Sequence, residues 1–397
     1  MSFPRYPKYK PSGVEWLGEV PKHWEISQLK RLLQIQNGSD HKHVEQAEGY
    51  PVIGSGGVFA YASDYLYDGE SVLLGRKGTI DKPLYVTGRF WTVDTMFWTK
   101  IQAGVSARFT YYSATTLPFE YYSTNTALPS MTKGALAGHL VAIPPLAEQT
   151  LIAAFLDRET AKIDALVSEQ ERLMALLKEK RQAVISHAVT KGLNPAVRMK
   201  PSGIEWLGDV PEHWELIPVW LLFEIGRGRV ISHDTIAENE GIFPVYSSQT
   251  ENDGVMGHLD TFDFDGDYIT WTTDGANAGT VFRRSGKFNC TNVCGTLKPR
   301  LRMSLDYCQS ALAVSTAAFV RHDINPKLMN NVMAKIRIPV PPVDEQAGIA
   351  AVIDYETAKL DTLTAEAQRA IDLLQERRTA LISASVTGQI DVREARA

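Results

Sequence analysis

The chain has 397 residues, a length typical of two or three domains, and a formal net charge of −5. No apolar run approaches the roughly 18 residues of a membrane span, and the first residues lack the apolar core of a secretion signal. The three cysteines are too few for a disulfide framework, so a reducing, cytoplasmic location is expected.

The acidic balance restricts how the chain would hold a nucleic acid. Residues 1–145 carry 14 basic and 12 acidic side chains, whereas residues 199–342 carry 13 and 17. Phosphate affinity comes from Lys and Arg. A nucleic-acid target would therefore need local basic patches, with part of the positive field supplied by other subunits.

Two stretches of the chain are near copies of earlier ones. Residues 10–25 return as residues 200–215, and both contain Trp-Leu-Gly, Val-Pro and His-Trp-Glu. The Pro-Pro-x-x-Glu-Gln step of residues 143–149 returns at 340–346. Because the repeat distance is a domain length, it indicates a duplicated module and not a solenoid. Two similar modules predict a reader of two sites with an internal pseudo-two-fold axis.

A variable middle follows each opening segment, at about 26–142 and 216–339. Short β-branched and aromatic runs at 71–74 and 267–271, surrounded by Gly and Asp, predict β-rich α/β domains. An Asp-Gly-acidic frame at 68–70 and 265–267 precedes loops of different chemistry in the two modules. A constant frame with different loops is typical of two readers of different sequences.

A long helix is predicted to close each module, at about 146–189 and 343–386. Pro-Pro stands just before each helix, and a Glu falls in each first turn, where the helix dipole favours negative charge. Apolar residues recur at heptad spacing, which favours a coiled coil over a helix packed on a globular core. The predicted stripes comprise Leu156, Ile163, Leu166, Leu173, Leu177 and Val184, and Ile353, Leu360, Leu363, Ala367, Ala370, Leu374 and Leu381.

Charges in these stripes predict that the two helices run antiparallel. An antiparallel pairing brings Glu159 close to Arg377 and Lys180 close to Glu356, whereas a parallel pairing puts like charges together. The antiparallel register is therefore the favoured hypothesis.

No catalytic motif is evident. The chain has no phosphate loop, no dinucleotide fingerprint, no amino-methyltransferase motif and no His-Glu-x-x-His zinc motif. Residues 226–229, Gly-Arg-Gly-Arg, are interpreted as turns, and Cys290 and Cys294 lack the second pair of a zinc site. We therefore expect a non-catalytic chain with no metal or cofactor site. A coiled-coil adaptor that joins two proteins without direct DNA readout is the alternative.

Taken together, these motifs resemble the specificity (S) subunit of type I restriction–modification systems. The resemblance lies in the duplicated Ser-Gly-Val/Ile-Glu-Trp-Leu-Gly-Glu/Asp-Val-Pro-Glu/Lys-His-Trp-Glu segment and in the Pro-Pro-x-x-Glu-Gln step. It extends to the helical Asp-x-Glu-Thr-Ala-Lys-Ile/Leu-Asp that begins at Asp157 and Asp354. The match covers the whole chain, twice, in the same order.

This resemblance implies an α/β (α+β) fold with two β-rich target-recognition domains separated by two long helices in an antiparallel coiled coil. The expected parts are a first recognition domain at 1–145, a first spacer helix at 146–198, a second recognition domain at 199–342, and a second spacer helix with a C-terminal tail at 343–397. Each domain would read one half of a bipartite, asymmetric double-stranded DNA site, and the coiled coil would set the spacer.

The resemblance also implies partners and a division of labour. Two methylation (M) subunits would dock on this chain and bind S-adenosylmethionine. Restriction/motor (R) subunits, using ATP and magnesium, would join through the complex. This chain would carry no cofactor, no metal and no catalytic residue, and it would not contact a membrane.

Candidate DNA-contacting residues are chosen by side-chain type, because Arg and Lys bind guanine, Asn and Gln bind adenine, and the Thr methyl group contacts thymine. The residues predicted to bind DNA are Arg76, Lys77, Thr79, Thr124, Asn125 and Lys133 in the first module, and Thr273, Asn277, Arg283, Arg284, Arg321 and His322 in the second. Asp274 is interpreted as part of an Asp-Gly turn. The repeated tryptophans are identical in both modules, so a structural role is favoured over base stacking for Trp16, Trp24, Trp206 and Trp214.

Overall fold

The chain divides into two compact units that share the long helices. The computed structural model describes residues 3–122, 130–320 and 325–393. Unit 1 comprises Met1–Glu171 and Gln368–Ala397, and unit 2 comprises Arg172–Ala367. Each unit therefore contains one module and part of both long helices. None of the helices in the described residues has an apolar stretch long enough to cross a membrane.

Unit 1 is rich in short strands. Its strands are β1 (Tyr9–Pro11), β2 (Glu19–Pro21), β3 (Glu25–Gln28), β4 (Leu33–Asn37), β5 (Glu45–Gln46), β6 (Tyr50–Gly54), β7 (Gly57–Ala62), β8 (Tyr67–Asp68), β9 (Ser71–Gly75), β10 (Leu84–Val86), β11 (Arg89–Thr92), β12 (Met96–Ile101) and β13 (Leu140–Ile143). Its short helices are α1 (Ala107–Thr115), α2 (Phe119–Tyr122) and α3 (Lys133–Ala137).

Two larger sheets organise the strands of unit 1. One has the order β10-β9-β12-β4 and the other has the order β5-β7-β6-β11-β8. Two-stranded pairings, β1 with β2 and β13 with β3, hold the opening segment and the strand before the long helix. The largest apolar cluster lies under the four-stranded sheet and includes Trp24, Phe97 and Phe109.

After β13, α4 (Leu146–Lys191) leads into unit 2, which repeats the strand pattern. The strands are β14 (Met199–Pro201), β15 (Asp209–Pro211), β16 (Glu215–Pro218), β17 (Phe223–Arg227), β18 (Glu240–Tyr246), β19 (Val255–Leu259), β20 (Phe264–Asp265), β21 (Tyr268–Thr272), β22 (Val281–Arg284), β23 (Lys287–Cys290), β24 (Cys294–Pro299) and β25 (Arg337–Val340). The helices are α5 (Val219–Leu222), α6 (His233–Glu238), α7 (Leu305–Thr316), α8 (Asn330–Met333) and α9 (Val343–Val386).

The sheets of unit 2 match those of unit 1 in order, except that the two-residue β5 has no paired counterpart in the described residues. One is β17-β24-β21-β22 and the other is β19-β18-β23-β20, with β14 paired to β15 and β16 paired to β25. The fold-class prediction is confirmed: two sheet-rich units are combined with two long helices. The predicted helix spans agree with α4 and α9 to within two residues.

The buried stripe of α4 corrects half of the predicted heptad. Leu156, Ile163 and Leu177 are buried as predicted, but Leu166 is 51% exposed and Leu173 is 42% exposed. The seam, meaning the line of buried positions along the helix, includes Thr160 next to Ile163 instead. Thr160 is 4% exposed and donates its hydroxyl to the carbonyl of residue 156. A threonine whose hydroxyl is hydrogen-bonded to its own helix can be buried like an apolar residue. A heptad pattern read from the leucines alone therefore predicted the wrong buried positions.

The stripe of α9 shows the same correction. Ile353, Leu360 and Leu381 are buried, whereas Leu363 is 47% exposed. Thr357 takes the buried position between Ile353 and Leu360. The hydroxyl of Thr357 donates to the carbonyl of Ile353 at 2.8 Å.

The helices run antiparallel within each unit, as predicted. In unit 1, Asp164 pairs with Arg378 at 2.8 Å, and Glu148, earlier in α4, reaches Arg393 at 3.5 Å beyond the end of α9. In unit 2, Arg181 pairs with Asp361 at 3.1 Å. Ascending positions on α4 therefore meet descending positions on α9.

The predicted ion pairs are nevertheless wrong. Glu159 pairs with Arg158 at 3.0 Å and Lys162 at 2.9 Å on its own helix. The side-chain hydrogen bonds from Lys162 and Arg158 hold the pKa of Glu159 below its usual value. Glu356 likewise pairs with Lys359 on α9. The seam residues set the register, and charges at the helix surface follow it.

The repeated His-Trp and Pro-Pro-x-x-Glu-Gln motifs meet in the folded chain. In unit 1, Glu148 is buried and accepts hydrogen bonds from Trp24 Nε1 at 2.6 Å and His23 Nε2 at 3.0 Å. In unit 2, Glu345 accepts from Trp214 Nε1 at 3.1 Å and His213 Nε2 at 2.8 Å. This clamp fastens the start of each long helix to its module.

The structural role predicted for the repeated tryptophans is confirmed for the clamp residues. Trp24 and Trp214 have no exposed surface. Trp16 is 54% exposed and stacks on His139 with ring centroids 5.0 Å apart. Trp206 meets Phe319 edge to face at 6.4 Å.

The C-terminal tail completes unit 1. Tyr9 donates its hydroxyl to the carbonyl of Gly388 at 3.0 Å, and the amide of Asp391 donates to the carbonyl of Pro4 at 2.7 Å. Val392 is buried in the unit 1 core. The first and last described parts of the chain are therefore packed together.

Candidate nucleic-acid interface

The loop after β9 in unit 1 carries three of the predicted DNA-binding residues. β9 ends at Gly75, and the amide of Arg76 donates to the carbonyl of Thr95 at 2.8 Å. A Cβ on Gly75 would lie 2.3 Å from the carbonyl oxygen of Thr79. Glycine therefore lets the loop fold back over the end of the strand, with Thr79 exposed.

The same loop is tied to the segment that precedes α3. The amide of Met131 donates to the carbonyl of Arg76 at 3.0 Å, and Lys77 forms an isolated β-bridge with Ser130. Lys133 begins α3 two residues later and lines a surface recess along β4. The fold thus brings together Arg76 and Lys77 with residues 130–131.

Arg76 is held against the turn between β11 and β12. Its Nη1 donates to the carbonyl of Asp94 at 3.2 Å, and its guanidinium carbon is 5.9 Å from the ring centre of Phe97. The end of β4 presses on the same turn, because a Cβ on Gly38 would lie 2.0 Å from the carbonyl oxygen of Val93. Only glycine fits such a close approach.

The loop after β21 is the counterpart in unit 2. The amide of Thr273 donates to the carbonyl of Val293 at 2.8 Å, and the amide of Leu328 donates to the carbonyl of Thr273 at 2.9 Å. This pattern repeats that of unit 1, so Thr273 occupies the position of Arg76.

Asp274 is a charged centre as well as a turn residue. It forms an isolated β-bridge with Lys327, as Lys77 does in unit 1 with its own partner. Its carboxylate lies 3.5 Å from Arg227 Nη2 and 3.7 Å from Lys327 Nζ, and it accepts from the hydroxyl of Thr273 at 3.0 Å. Two cations therefore flank one carboxylate at the end of this sheet.

Arg227 is a candidate that the sequence interpretation missed. It is the last residue of β17, and its Nε donates to the carbonyl of Asn292 in the turn between β23 and β24 at 2.6 Å. A Cβ on the next residue, Gly228, would lie 2.3 Å from the carbonyl oxygen of Thr291 in that turn. Arg229 pairs with Asp263 at 2.8 Å. Arginines alternating with glycines at a strand end were the available signal.

Cys290 and Cys294 bracket the turn that Arg227 binds. Both side chains are buried, and their mutual hydrogen bond, together with burial, raises the pKa of the Cys290 thiol well above its usual value. The same bond lowers the pKa of Cys294, whose Sγ lies 3.6 Å from the carbonyl of Tyr246. The pair packs the base of the turn.

Arg283 and Arg284 lie elsewhere. Strand β22 places them opposite Ile269 and Tyr268, which is the start of β21 and not the end that leads into the loop. Four residues of strand cover about 13 Å. Arg283 pairs with Asp306 at 2.5 Å. The register of β22 therefore places these two residues at the end of β21 opposite the loop.

The surroundings of Arg284 favour a structural role. It is 3% exposed, its guanidinium carbon lies 3.6 Å from the ring centre of Tyr246 and 4.4 Å from that of Phe282, and it pairs with Asp253 at 2.6 Å. A guanidinium enclosed in this way has little surface to offer a base.

One other predicted residue is described and four are not. The side chain of Asn277 donates through Nδ2 to the backbone carbonyl of Ser248 at 2.9 Å. The residues that lie outside the described part of the chain are Thr124, Asn125, Arg321 and His322.

A protein-family comparison matches both units. The family described as the type I restriction modification DNA specificity domain matches residues 21–173 and 211–372.

Relatives in Mycoplasma pneumoniae (strain ATCC 29342 / M129 / Subtype 1) carry matching descriptions. A putative type I specificity subunit, S.MpnORF615P, is 36% identical over 224 residues, which cover 56% of this chain and 82% of that protein. Another, S.MpnORF201P, is 43% identical over 35% of this chain and 59% of its own length. The type I restriction enzyme MpnII specificity subunit is 42% identical over 35% of this chain and 43% of its own length.

Solved structures share the fold at low sequence identity. A chain from a study of complex assembly and conformational transition of the type I R-M system matches with a TM-score of 0.73 and 13% identity, over 92% of this chain and 98% of that chain. The HsdS subunit from Thermoanaerobacter tengcongensis matches with a TM-score of 0.51 and 12% identity, over 94% and 98%. Because the family match spans more than half of the sequence, in two copies, this chain belongs to the family of type I restriction–modification specificity subunits.

Proposed function

We propose that this specificity subunit reads a bipartite, asymmetric site in double-stranded DNA, one half with each unit. The observation that carries the proposal is the pair of loops after β9 and β21. They share their backbone hydrogen bonds but carry Arg76 and Lys77 in unit 1 against Thr273 and Asp274 in unit 2. Side chains, and not the backbone frame, select base edges. Equal frames with unequal side chains therefore fit two different half-sites.

The long helices are proposed to set the unread spacer between the half-sites. α4 has 46 residues, and at 1.5 Å per residue it is about 70 Å long. One turn of DNA rises about 34 Å. An insertion of four residues after Gln170, with a matching insertion at Ala367, should lengthen the spacer and leave both half-sites unchanged. An unchanged spacer would refute this role.

Methylation subunits are proposed to dock on the helices. Both units leave large apolar side chains of α4 and α9 exposed, including Leu166 and Leu373 in unit 1 and Leu176 and Leu363 in unit 2. Exposed apolar surface on a helix is a typical mark of a protein contact. The chain would then supply recognition, while methylation subunits supply S-adenosylmethionine chemistry and motor subunits use ATP and magnesium.

The docking proposal has a direct test. Leu373→Lys and Leu363→Lys should weaken co-purification with the methylation subunit, whereas Glu376→Lys, which changes charge without removing an apolar contact, should weaken it less. Equal retention of the partner by all three variants would refute docking on these leucines.

DNA reading is tested by sequencing the methylome of host cells with and without this chain. Loss of one bipartite methylated motif supports the proposal, and an unchanged methylome defeats it. The second measurement is a gel shift of the chain with its methylation partner on DNA at several salt concentrations. An absence of salt-dependent binding would favour a coiled-coil adaptor that does not read DNA.

A further inference from the structure

We propose that Arg76 in unit 1 and Arg227 in unit 2 each read a guanine in their respective half-sites. The inference rests on the proposed function, since it assumes that each unit contacts DNA. It assigns the same chemical task to two residues that do not occupy equivalent positions in the sequence repeat.

The two arginines bind the same turn of the frame. The first amide of the loop donates to the carbonyl of Thr95 in unit 1 and of Val293 in unit 2, at 2.8 Å in both. The preceding turn residues, Asp94 and Asn292, therefore correspond to each other.

A guanidinium donates to the carbonyl of that turn residue in each unit. Arg76 Nη1 reaches the carbonyl of Asp94 at 3.2 Å, and Arg227 Nε reaches the carbonyl of Asn292 at 2.6 Å. However, Arg76 follows β9, whereas Arg227 ends β17, which is the counterpart of β4. The same placement is reached from two different strands.

The alternative positions carry small neutral side chains. The counterpart of Arg76 is Thr273, by its backbone bonds. The counterpart of Arg227 is Asn37, since each precedes the glycine whose missing Cβ faces the turn. A residue that served only the shared frame would keep its position in both units. An exchange of position that preserves the placement of the guanidinium points to a task for the guanidinium itself.

Holding one part of each guanidinium leaves another part for a ligand. In Arg76 the carbonyl takes Nη1, so Nε and Nη2 have no hydrogen-bond acceptor among the residues that the structure describes. In Arg227 the carbonyl takes Nε, and Thr273 Oγ1 and the Asp274 carboxylate each lie 3.5 Å from Nη2, so Nη1 is the nitrogen without an acceptor among the described residues. Two parallel N–H groups, as on the free Nε–Nη2 edge of Arg76, match O6 and N7 of guanine, whereas Nη1 of Arg227 can donate to one of these acceptors. A guanidinium that is already held also loses less conformational freedom on binding.

Asp274 favours a base over a phosphate as the ligand of Arg227. Its carboxylate lies 3.5 Å from Nη2, and a phosphate at the same guanidinium would meet a like charge. The acceptors of guanine are neutral and do not. Asp274 is therefore a positioning residue for Arg227.

The test uses the full chain bound to its methylation subunit, with binding measured on DNA sites varied one base pair at a time. Arg76→Ala and Arg227→Ala should each lower the preference for guanine at one position of one half-site, by about 5- to 150-fold. The preferences of the other half-site should stay as in the wild type, which shows that the complex is folded. Control variants are Arg89→Ala in unit 1 and Arg229→Ala in unit 2, which remove exposed, ion-paired arginines and should leave every base preference unchanged.

Moving the arginine provides the sharper comparison. Arg76→Thr should lose the guanine preference, and adding Asn37→Arg should recover it, because the second unit supplies its guanidinium from that position. Failure of the double variant to recover the preference overturns the assignment.

The remaining outcomes are also decisive. A uniform loss of affinity across all sequences would mean phosphate contacts, and unchanged base preferences would mean no contact; either overturns the inference. If the wild-type complex itself shows no bipartite preference, the proposed function fails, and that result is distinct from a failure of these two arginines.

Discussion

The clamp between the repeated motifs predicts that the two units depend unequally on their clamp glutamates. The side chain of Glu148 is 8% exposed and accepts from Trp24 at 2.6 Å. The side chain of Glu345 is 33% exposed and accepts from Trp214 at 3.1 Å. Arg393 adds a positive charge to this site, with its Nε 3.5 Å from a carboxylate oxygen of Glu148. The same substitution should therefore cost more in unit 1.

The magnitude follows from the loss of these contacts. A hydrogen bond to a charged group contributes about 1.5–3 kcal/mol, and leaving a buried donor without its partner adds to the loss. We expect Glu148→Ala to lower the free energy of unfolding by about 3–5 kcal/mol. Glu345→Ala should cost about half as much, since water replaces part of the lost contact.

Hydrogen exchange resolved by peptide is the assay, because it reports each unit separately. Peptides over residues 19–28 should lose protection in Glu148→Ala, and peptides over 209–218 should lose less in Glu345→Ala. Glu15→Ala, at an exposed position of the same opening segment, is the control. Equal loss of protection in both units, or a greater loss from Glu345→Ala, would refute the reasoning.

Three further predictions concern the helices, acid sensitivity and the turn between β23 and β24. Asp164→Arg and Arg378→Asp should each lower the free energy of unfolding, and the double exchange should recover about 0.5–1 kcal/mol. The measurement is a double-mutant cycle on denaturant unfolding, and a coupling energy near zero would contradict the observed register. Burial lowers the pKa of His139 to about 4. Between its usual pKa and that value, the unfolded state binds a proton and the folded state does not, so the free energy of unfolding should fall as pH falls through this window. His139→Gln should flatten the dependence of Tm on pH, and an unaltered slope would contradict this reasoning. Gly228→Ala should displace the turn between β23 and β24, because its Cβ would meet a backbone carbonyl oxygen at 2.2 Å, and should reduce half-site discrimination in unit 2. The control Gly348→Ala, whose Cβ meets nothing within 4 Å, should leave that discrimination intact. Equal effects of the two variants on DNA binding would refute the steric argument.

Local and periodic features were predictable from the sequence. The repeated motifs indicated two modules, and the helices begin at Leu146 and Val343, where the prolines and the heptad pattern place them. The bounds of these helices depend on neighbours within a few turns and on strong periodicity. The antiparallel direction was also predictable, since the chain connects the helices through one module.

The register of the helices required the tertiary structure. Thr160 and Thr357 fill seam positions because their hydroxyls are satisfied by their own helices. A polar residue that becomes apolar by an internal hydrogen bond gives no signal in a hydrophobicity pattern, so the leucines and surface charges predicted a different register.

The candidate site divides in the same way. The sequence by itself determined that the loops after the shared Asp-Gly frame would differ between modules, and it predicted DNA contacts for Arg76 and Thr273 in those loops. The correspondence of these two residues follows from their backbone hydrogen bonds, which only the tertiary structure shows. The sequence did not select Arg227, which lies far from Asn292 in sequence and meets it only because β17 pairs with β24. A side chain acquires a binding role from the strands that the fold places beside it, and such long-range pairing depends on the packing of the whole sheet, which no local pattern in the sequence specifies.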